Sequence, residues 1–346
     1  MRRGNHSMGD FQNEDCPGTP SGGAGEGERG GLRLDRRGFL QAAAGGALGL
    51  ATWGLQTGAA VAQQAQAHTL KLGAFELTVL SDGFISFPTS NLAPAIPEAE
   101  RNALLSAHGL SLEEHVSKIN VAMVRSGDEL ILIDTGAGMN FVASAGLLAD
   151  SFDAAGIDRE EVTKVILTHA HPDHVWGIID DFDESERFPN ASYVMGSAEW
   201  DFWMAEDVLT KLPDDLHGFA LGAQRSLGPI AEKITRVGDG ASVSSGITMI
   251  DTPGHTPGHM SVVLESEGET LVVTGDAATH MAVSFERPDW RFIRDQEPDV
   301  AVATRKKLLD MIATDKMGLI GYHLPWPGVG RAERKDTAFR YVAADA

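Results

Sequence analysis

The sequence predicts a single α/β domain running from about His68 to Ala346, and three observations carry that expectation. Short apolar runs of strand character alternate with amphipathic stretches of helical character along this whole region. No internal repeat and no long linker interrupts the alternation. The composition of the 346 residues, 42% hydrophobic and 22% charged, suits a globular chain with a sizeable core rather than a disordered or fibrous one.

The chain begins with a segment that reads as an address. Residues 1–31 are polar and glycine-rich, after which "LDRRGFLQ" places Arg36 and Arg37 before a weakly apolar, Ala/Gly-rich run from Phe39 to about Leu55. This arrangement resembles a twin-arginine export signal. Ala60 with Ala62, or Ala65 with Ala67, offers an A-x-A cleavage site that releases a chain starting near Gln63 or His68. The run is shorter than the roughly 20 apolar residues a bilayer span requires, so no stable membrane anchor is expected. The expected organisation is an export segment, 1–67, followed by the folded domain, 68–346. Its destination is the periplasm or the exterior, and the twin-arginine export machinery is its first partner.

Within the domain, "FELTVL" (75–80), "NVAMVRSGDELILID" (120–134), "KVILTH" (164–169) and "SYVMGS" (192–197) have the β-branched, apolar character of strands. The same holds for "GITMID" (246–251), "SVVLES" (261–266), "TLVVTGD" (270–276) and "MGLIGYH" (317–323). Helices are expected at 97–109, 142–156, 197–207, in a segment before Leu227, and at 299–314.

Charge and cysteine content narrow the chemistry. With 28 basic and 49 acidic residues the formal net charge is −21. A partner held through phosphate neutralisation would meet like-charge repulsion over most of the surface, which excludes nucleic acid. Residues 1–67 carry six basic and six acidic residues, so their removal leaves the net charge unchanged and takes away Cys16, the sole cysteine. The remaining chain has no thiol for a disulfide, a nucleophile or a metal ligand. Any metal must sit on histidine and carboxylate.

One stretch concentrates such groups. "THAHPDHVWG" (168–177) places His169, His171, Asp173 and His174 where the apolar run Val165 to Leu167 ends. Pro172 keeps His171 extended and suits the first turn of a following helix, so the cluster sits on a strand-to-helix turn. On extended backbone the rings of His169 and His171 point the same way, and Asp173 and His174 follow across the turn. Imidazoles crowded this closely repel one another when protonated, whereas a divalent ion converts the crowding into binding. Further on, His255 in "DTPGHTPGH", Asp276 in "VVTGDA" and His323 in "LIGYHLPWPG" each follow an apolar strand. Strand ends that share one edge of the sheets would gather all seven groups into two sites for divalent cations.

The series "HAHPDH", "PGHTPGH", "TGDA" and "YHLPWPG", with "LIDTG" at 132–136, resembles the metallo-β-lactamase superfamily. The resemblance implies a four-layer αββα sandwich with a dinuclear, usually zinc, centre. His169, His171 and His255 would hold one metal, Asp173, His174 and His323 the other, and Asp276 would bridge. Manganese, cobalt or iron could occupy such N/O sites as well. Within the superfamily, "LSDG", "LILIDTGAG", "FPNA", "AEWDFW" and "HLPWPGVG" are similar to the methyl parathion hydrolase-like periplasmic metallohydrolases. That likeness implies a homodimer and an aromatic substrate wall of Phe141, Trp203 and Phe219; Trp176, beside the second metal's ligands where the relatives have glycine, is a departure expected to narrow the pocket or add a stacking wall to the substrate site. Asp134 and His259 are expected to orient the ligating imidazoles or brace their loops. The acyl-homoserine lactonases carry a tyrosine three residues after the bridging aspartate. Thr279 stands there in this chain, which argues against that activity, and the neighbouring His280 is expected to face solvent.

The function implied is hydrolysis of a small-molecule substrate by a metal-bridging hydroxide, with Asp173 and Asp276 as its catalytic carboxylates. Aryl phosphotriesters or aryl esters are the expected substrates. A lactonase or small-ester hydrolase, and an iron-dependent oxidoreductase on the same fold, are the alternatives.

Overall fold

Strand residues alternate between two faces, and in this chain the two faces bury into different cores. Leu130 and Leu132 pack in one core while Ile131 and Ile133, between and beside them, pack in another; Val165 and Leu167 are divided from Ile166 in the same way. Strands buried on both faces must be apolar at every position, which is why "ELILI" and "KVIL" are continuous runs rather than alternating ones.

The computed structural model describes residues 65–180 and 182–344, so the expected export segment lies outside the described residues except for its last three positions. The described part belongs to one compact unit, Val61–Ala346. The first sheet is built in sequence order from β1 (Ala67–Leu72), β2 (Phe75–Pro88), β3 (Glu114–Ser126), β4 (Glu129–Ile133), β5 (Lys164–Leu167), β6 (Ser192–Gly196) and β7 (Ile234–Val237). Its pairing is antiparallel from β1 to β4 and parallel from β4 to β7. The second sheet follows with β8 (Ala241–Ser244), β9 (Ile247–Asp251), β10 (Met260–Ser266), β11 (Glu269–Val273), β12 (Gly318–Ile320), β13 (Val329–Lys335) and β14 (Ala338–Ala343). There only β11 and β12 run parallel.

The helices are α1 (Glu98–Ala107), α2 (Leu148–Ala155), α3 (Pro172–Val175), α4 (Ser197–Trp203), α5 (Val208–Lys211), α6 (His217–Leu227), α7 (Val283–Glu286) and α8 (Pro298–Asp315). Phe152 of α2, Trp203 of α4 and Ala220, Ala223 and Leu227 of α6 cover the outer face of the first sheet. Leu308, Leu309 and Ile312 of α8 cover Val272 and Leu319 on the outer face of the second. Between the sheets, Ile131, Ile133 and Ile166 meet Met249, Val262, Leu264 and Val273. Two mixed sheets flanked by helices make the αββα sandwich expected from the sequence.

The helix expected over 142–156 starts only at Leu148. Gly146 just before it has φ 87°, outside the helical range for an L-residue, and the buried Asp82 carboxylate draws in the Leu148 N–H at 2.7 Å. The strands β1, β7, β8, β13 and β14 escaped the sequence reading. "VGRAERK" in β13, for example, carries four charges and has no apolar run to mark it. Among the described residues no helix is long and apolar enough to cross a membrane.

Candidate metal centre

The loops that leave β5, β9, β11 and β12 converge above the edges of both sheets. After β5, His171 keeps extended angles (φ −69°, ψ 158°) and Pro172 opens α3, so His169 and His171 stand on the strand side and Asp173 and His174 on the helix side. Asp134, past the end of β4, sets this turn. Its carboxylate accepts the Thr168 N–H and the Thr168 hydroxyl, both at 2.8 Å, and faces His174 Nδ1 at 2.8 Å. Its backbone is held at φ 65°, a left-handed conformation uncommon outside glycine, asparagine and aspartate. Asp276 is seated by His259, whose Nε2 accepts the Asp276 N–H at 2.9 Å. Gly275 before it has φ 51°, and a Cβ there would stand 2.7 Å from the same nitrogen. Tyr322 stacks on His174 with ring centroids 3.9 Å apart and donates its hydroxyl to the Asp173 carbonyl at 2.6 Å. Asn120 Nδ2 donates to the carbonyls of Gly321 and Leu324 and pins the His323 loop.

The structure brings all seven expected ligands together as two buried groups, His169, His171, His255 and Asp276 in one and Asp173, His174 and His323 in the other. Asp276 reaches into both. Its Oδ1 lies 3.3 Å from His174 Nε2, and its Oδ2 lies 3.1 Å from His255 Nε2 and 3.3 Å from His323 Nε2.

Three features fit this pair of groups to divalent cations. First, His169 Nε2, His174 Nε2, Asp173 Oδ2 and Asp276 Oδ1 are buried without a well-directed hydrogen bond, which is costly unless an ion satisfies them. Second, four imidazoles spend Nδ1 on an outward partner and leave Nε2 pointing inward. The partners are Thr168 Oγ1 for His169, Asp134 for His174, Asp295 for His255 and the Lys118 carbonyl for His323. Third, burial and the neighbouring imidazoles hold His169 and His171 well below the usual histidine range, so their ring lone pairs are free. Burial alone would raise the Asp276 carboxyl, but His323, His174 and His255 hold it well below the usual carboxylate range.

Behind His255 lies a support that sequence reasoning missed. Asp295 Oδ1 meets His255 Nδ1 at 3.1 Å, and Asp295 Oδ2 accepts from Arg305 Nη2 at 2.9 Å. Arg305, buried on α8, also donates to the carbonyls of Ala277, Pro288 and Trp290. An outward partner of this kind is worth roughly 10- to 100-fold in metal affinity. Asp295→Asn is therefore expected to weaken metal retention by about that factor in a competition titration with a chelator. Unchanged retention would remove Asp295 from the ligand support.

The cavity above the ligands measures about 320 Å³, and Phe141, Phe219, Phe292 and Ile85 are among its walls, with Thr279 and His115 as polar neighbours. Phe141 and Phe219 meet edge to face at 6.1 Å. Two expected wall residues stand elsewhere. Trp203 is fully buried and does not border this cavity; its indole N–H donates to Glu199 Oε1 at 2.6 Å, and its ring lies 5.7 Å behind that of His171. Trp176 also stays off the cavity. It lies edge-on to Phe141 at 5.6 Å and fills the notch that Gly222 leaves in α6. His280, expected to face solvent, is 1% exposed because its Nδ1 accepts the N–H groups of Ala282 and Val283.

Glu199, hidden inside "AEWDFW", is the second support that sequence reasoning missed. Fully buried, it accepts from Ala170 N (2.9 Å), Trp203 Nε1 (2.6 Å), Thr256 Oγ1 (2.7 Å) and Gly258 N (3.0 Å). It thereby ties the His169–His171 turn to the His255 loop. The four-residue step from Glu199 to Trp203 on one helix was the available signal.

A fold with two facing sheets and this ligand set defines a metal-dependent hydrolase whose two groups fit a dinuclear centre. The chain belongs to the metallo-beta-lactamase superfamily, whose family model matches residues 116–315. A solved structure of AidC, a dizinc quorum-quenching lactonase, aligns with a TM-score of 0.77 at 31% identity, covering 82% of this chain and 98% of that one. The hydrolase AbOPH of the beta-lactamase superfamily aligns with a TM-score of 0.76 at 30% identity, covering 82% and 99%. In sequence, the N-acyl homoserine lactonase AttM of Agrobacterium fabrum is 31% identical over 139 residues, 37% of this chain and about half (46%) of AttM itself. These relatives are hydrolases, in keeping with a metal-dependent hydrolase here.

Proposed function

We propose that this chain is a dizinc hydrolase of lactones and small carboxylic esters, with aryl esters and aryl phosphotriesters as the second reading. The observation that carries the proposal is the apolar cavity whose floor is the ligand set itself, with Asp173, Asp276, His171, His255 and His323 all exposed to it. A substrate oxygen and a water can thus meet at the ligands while apolar substituents leave water. The similarity to AidC, along nearly that protein's whole length, and to AttM supports lactones over phosphotriesters. A divalent ion at such a site lowers the pKa of water toward neutrality and polarises the acyl oxygen.

The chain's own residues do the rest. The walls of Phe141 and Phe219 orient the substituent and exclude water. Thr279, where acyl-homoserine lactonases carry a tyrosine, borders the cavity with a shorter hydroxyl and leaves more room beside the floor. Asp173 and Asp276 border the place where the attacking water would sit, and the Asp173 carboxylate accepts its proton. Asp173 faces the same cavity as the substrate, so it can return the proton to the leaving oxygen.

The test is a panel of lactones, alkyl esters, aryl esters and aryl phosphotriesters, with bound metal quantified in the same preparation. Lactones and small esters are expected to show the highest kcat/KM, and a higher value for phosphotriesters would promote the second reading. Phe219→Ala should lower kcat/KM toward aryl substrates by about 5- to 150-fold, from roughly 1 to 3 kcal/mol of lost apolar and edge contact. Small alkyl esters should lose much less. Equal losses on both classes at full metal occupancy would show that Phe219 does not contact the substituent.

A further inference from the structure

Asp82, from "LSDG" (80–83), is a fully buried carboxylate that belongs to neither ligand group. It stands where the register of β2 against β3 shifts, between Ser81 and Phe84. Its Oδ2 accepts the Ala137 N–H at 2.6 Å and its Oδ1 the Leu148 N–H at 2.7 Å. One carboxylate thus ties both ends of the loop that leads from β4 into α2. Glycine permits the approach: Gly136 has φ 73°, and a Cβ there would stand 2.7 Å from the Asp82 carboxyl.

That loop carries Phe141, a wall of the cavity above the ligands, whose ring meets Trp176 at 5.6 Å and Phe219 at 6.1 Å. Met139 and Asn140, just before it, are exposed, so the ring is placed by the inner ties of the loop rather than by a core around its tip. The other inner tie is Ser144. Its carbonyl accepts the Phe84 N–H at 2.9 Å, and its hydroxyl donates to the Phe84 carbonyl at 2.7 Å.

Burial pushes the Asp82 carboxyl up to about 7, while the N–H groups of Ala137, Leu148 and Gly146 and the Arg187 guanidinium pull it down. The Tyr322 phenol, which the Asp82 charge also reaches, is held well above its usual range and stays neutral. Asn120, opposite Ser81 on β3, is uncharged, and the α2 acids Asp150 and Asp153 are exposed. Linkage is reciprocal, so N–H groups that favour the carboxylate are held more tightly by it than by the neutral acid. The tie is tight above about pH 7 and slack below it.

We propose that Asp82 is the positioning residue of the aromatic wall: its negative charge holds the Phe141 loop against the cavity, and loss of that charge slackens the loop and lowers the preference for aryl over small alkyl substrates. The effect on substrates rests on the hydrolase reading above; the tie itself does not.

Two readouts test it in the metal-loaded protein, with metal content measured at each pH. In hydrogen exchange, corrected for the intrinsic rate, protection over 137–148 should fall about threefold or more from pH 8 to pH 6 while that of β10 holds. Asp82→Asn should be slack at both pH values. The second readout is the ratio of kcat/KM for ethyl phenylacetate to that for ethyl acetate, in which the ionisation of the attacking water cancels. It should fall roughly 3- to 10-fold over the same interval in the wild type and stay low and flat in Asp82→Asn. Ser144→Ala, which removes the other side-chain tie, should lower the ratio at both pH values yet keep its fall with pH, and it serves if Asp82→Asn does not fold. Protection and ratio that ignore pH in the wild type, or a fall that persists in Asp82→Asn, would overturn the role. Exchange that follows pH in a protein that turns over no ester or lactone would keep the tie and remove the hydrolase reading.

Discussion

Asp276→Ala is expected to remove metal and activity together. Among the described residues Asp276 is the one carboxylate whose two oxygens approach histidines of both ligand groups, within 3.1 to 3.3 Å of His255, His174 and His323. Deleting it leaves His255 without the carboxylate between the groups and His174 and His323 with Asp173 alone, so each group loses a ligand and part of the charge that offsets two cations. Metal content should fall from about two ions per chain to one or fewer, and kcat/KM by on the order of 1,000-fold or more. Elemental analysis of wild type and variant purified in parallel, with circular dichroism to confirm the fold, checks it. Equal metal content in the two proteins would refute the bridging role.

Glu199→Ala should be the most destabilising substitution away from the ligands. The carboxylate accepts four hydrogen bonds in a fully buried position, two of them from the backbone of Ala170 and Gly258. Truncation leaves four buried donors without partners and a cavity beneath His171. Losses of about 1 to 3 kcal/mol per orphaned donor are only partly additive, which suggests about 3 to 5 kcal/mol in total. For a domain of this size that lowers Tm by roughly 6 to 20 °C. Calorimetry of the metal-free proteins isolates this term from metal binding. A change in Tm within error would mean that water replaces the carboxylate at no cost.

How much of this was legible beforehand divides along physical lines. The seven ligands were readable because histidine and aspartate at the ends of apolar strands have few uses other than holding an ion. The sandwich was readable because strands such as "KVIL" are apolar on both faces. Asp295, Arg305 and Glu199 were not, since a charged residue in a loop or on a short helix usually points to water. Only the fold shows that Arg305, on α8, lies against Asp295, which in turn meets His255. Trp203 misled for the converse reason, because an aromatic at the right spacing identifies a position along the chain but not which of its neighbours stands between it and the cavity. His259 was expected to orient an imidazole or brace a loop, and it braces the loop after β11 by accepting the Asp276 backbone N–H.

The division of the ligands between the sheets has a consequence for assembly. His169, His171, Asp173 and His174 follow a strand of the first sheet, whereas His255, Asp276 and His323 follow strands of the second. Neither half can complete either metal group alone, because Asp276 and His255 must join His169 and His171, and His323 must join Asp173 and His174. Ions held there would act as a latch between the two halves of the chain and tighten the closed state by RT ln(1 + [L]/Kd), about 4 kcal/mol at a thousandfold excess of free metal over Kd. Metal supply during folding would then govern how long the inter-sheet core, with Ile131, Ile166, Val262 and Val273, stays open to solvent and to other chains.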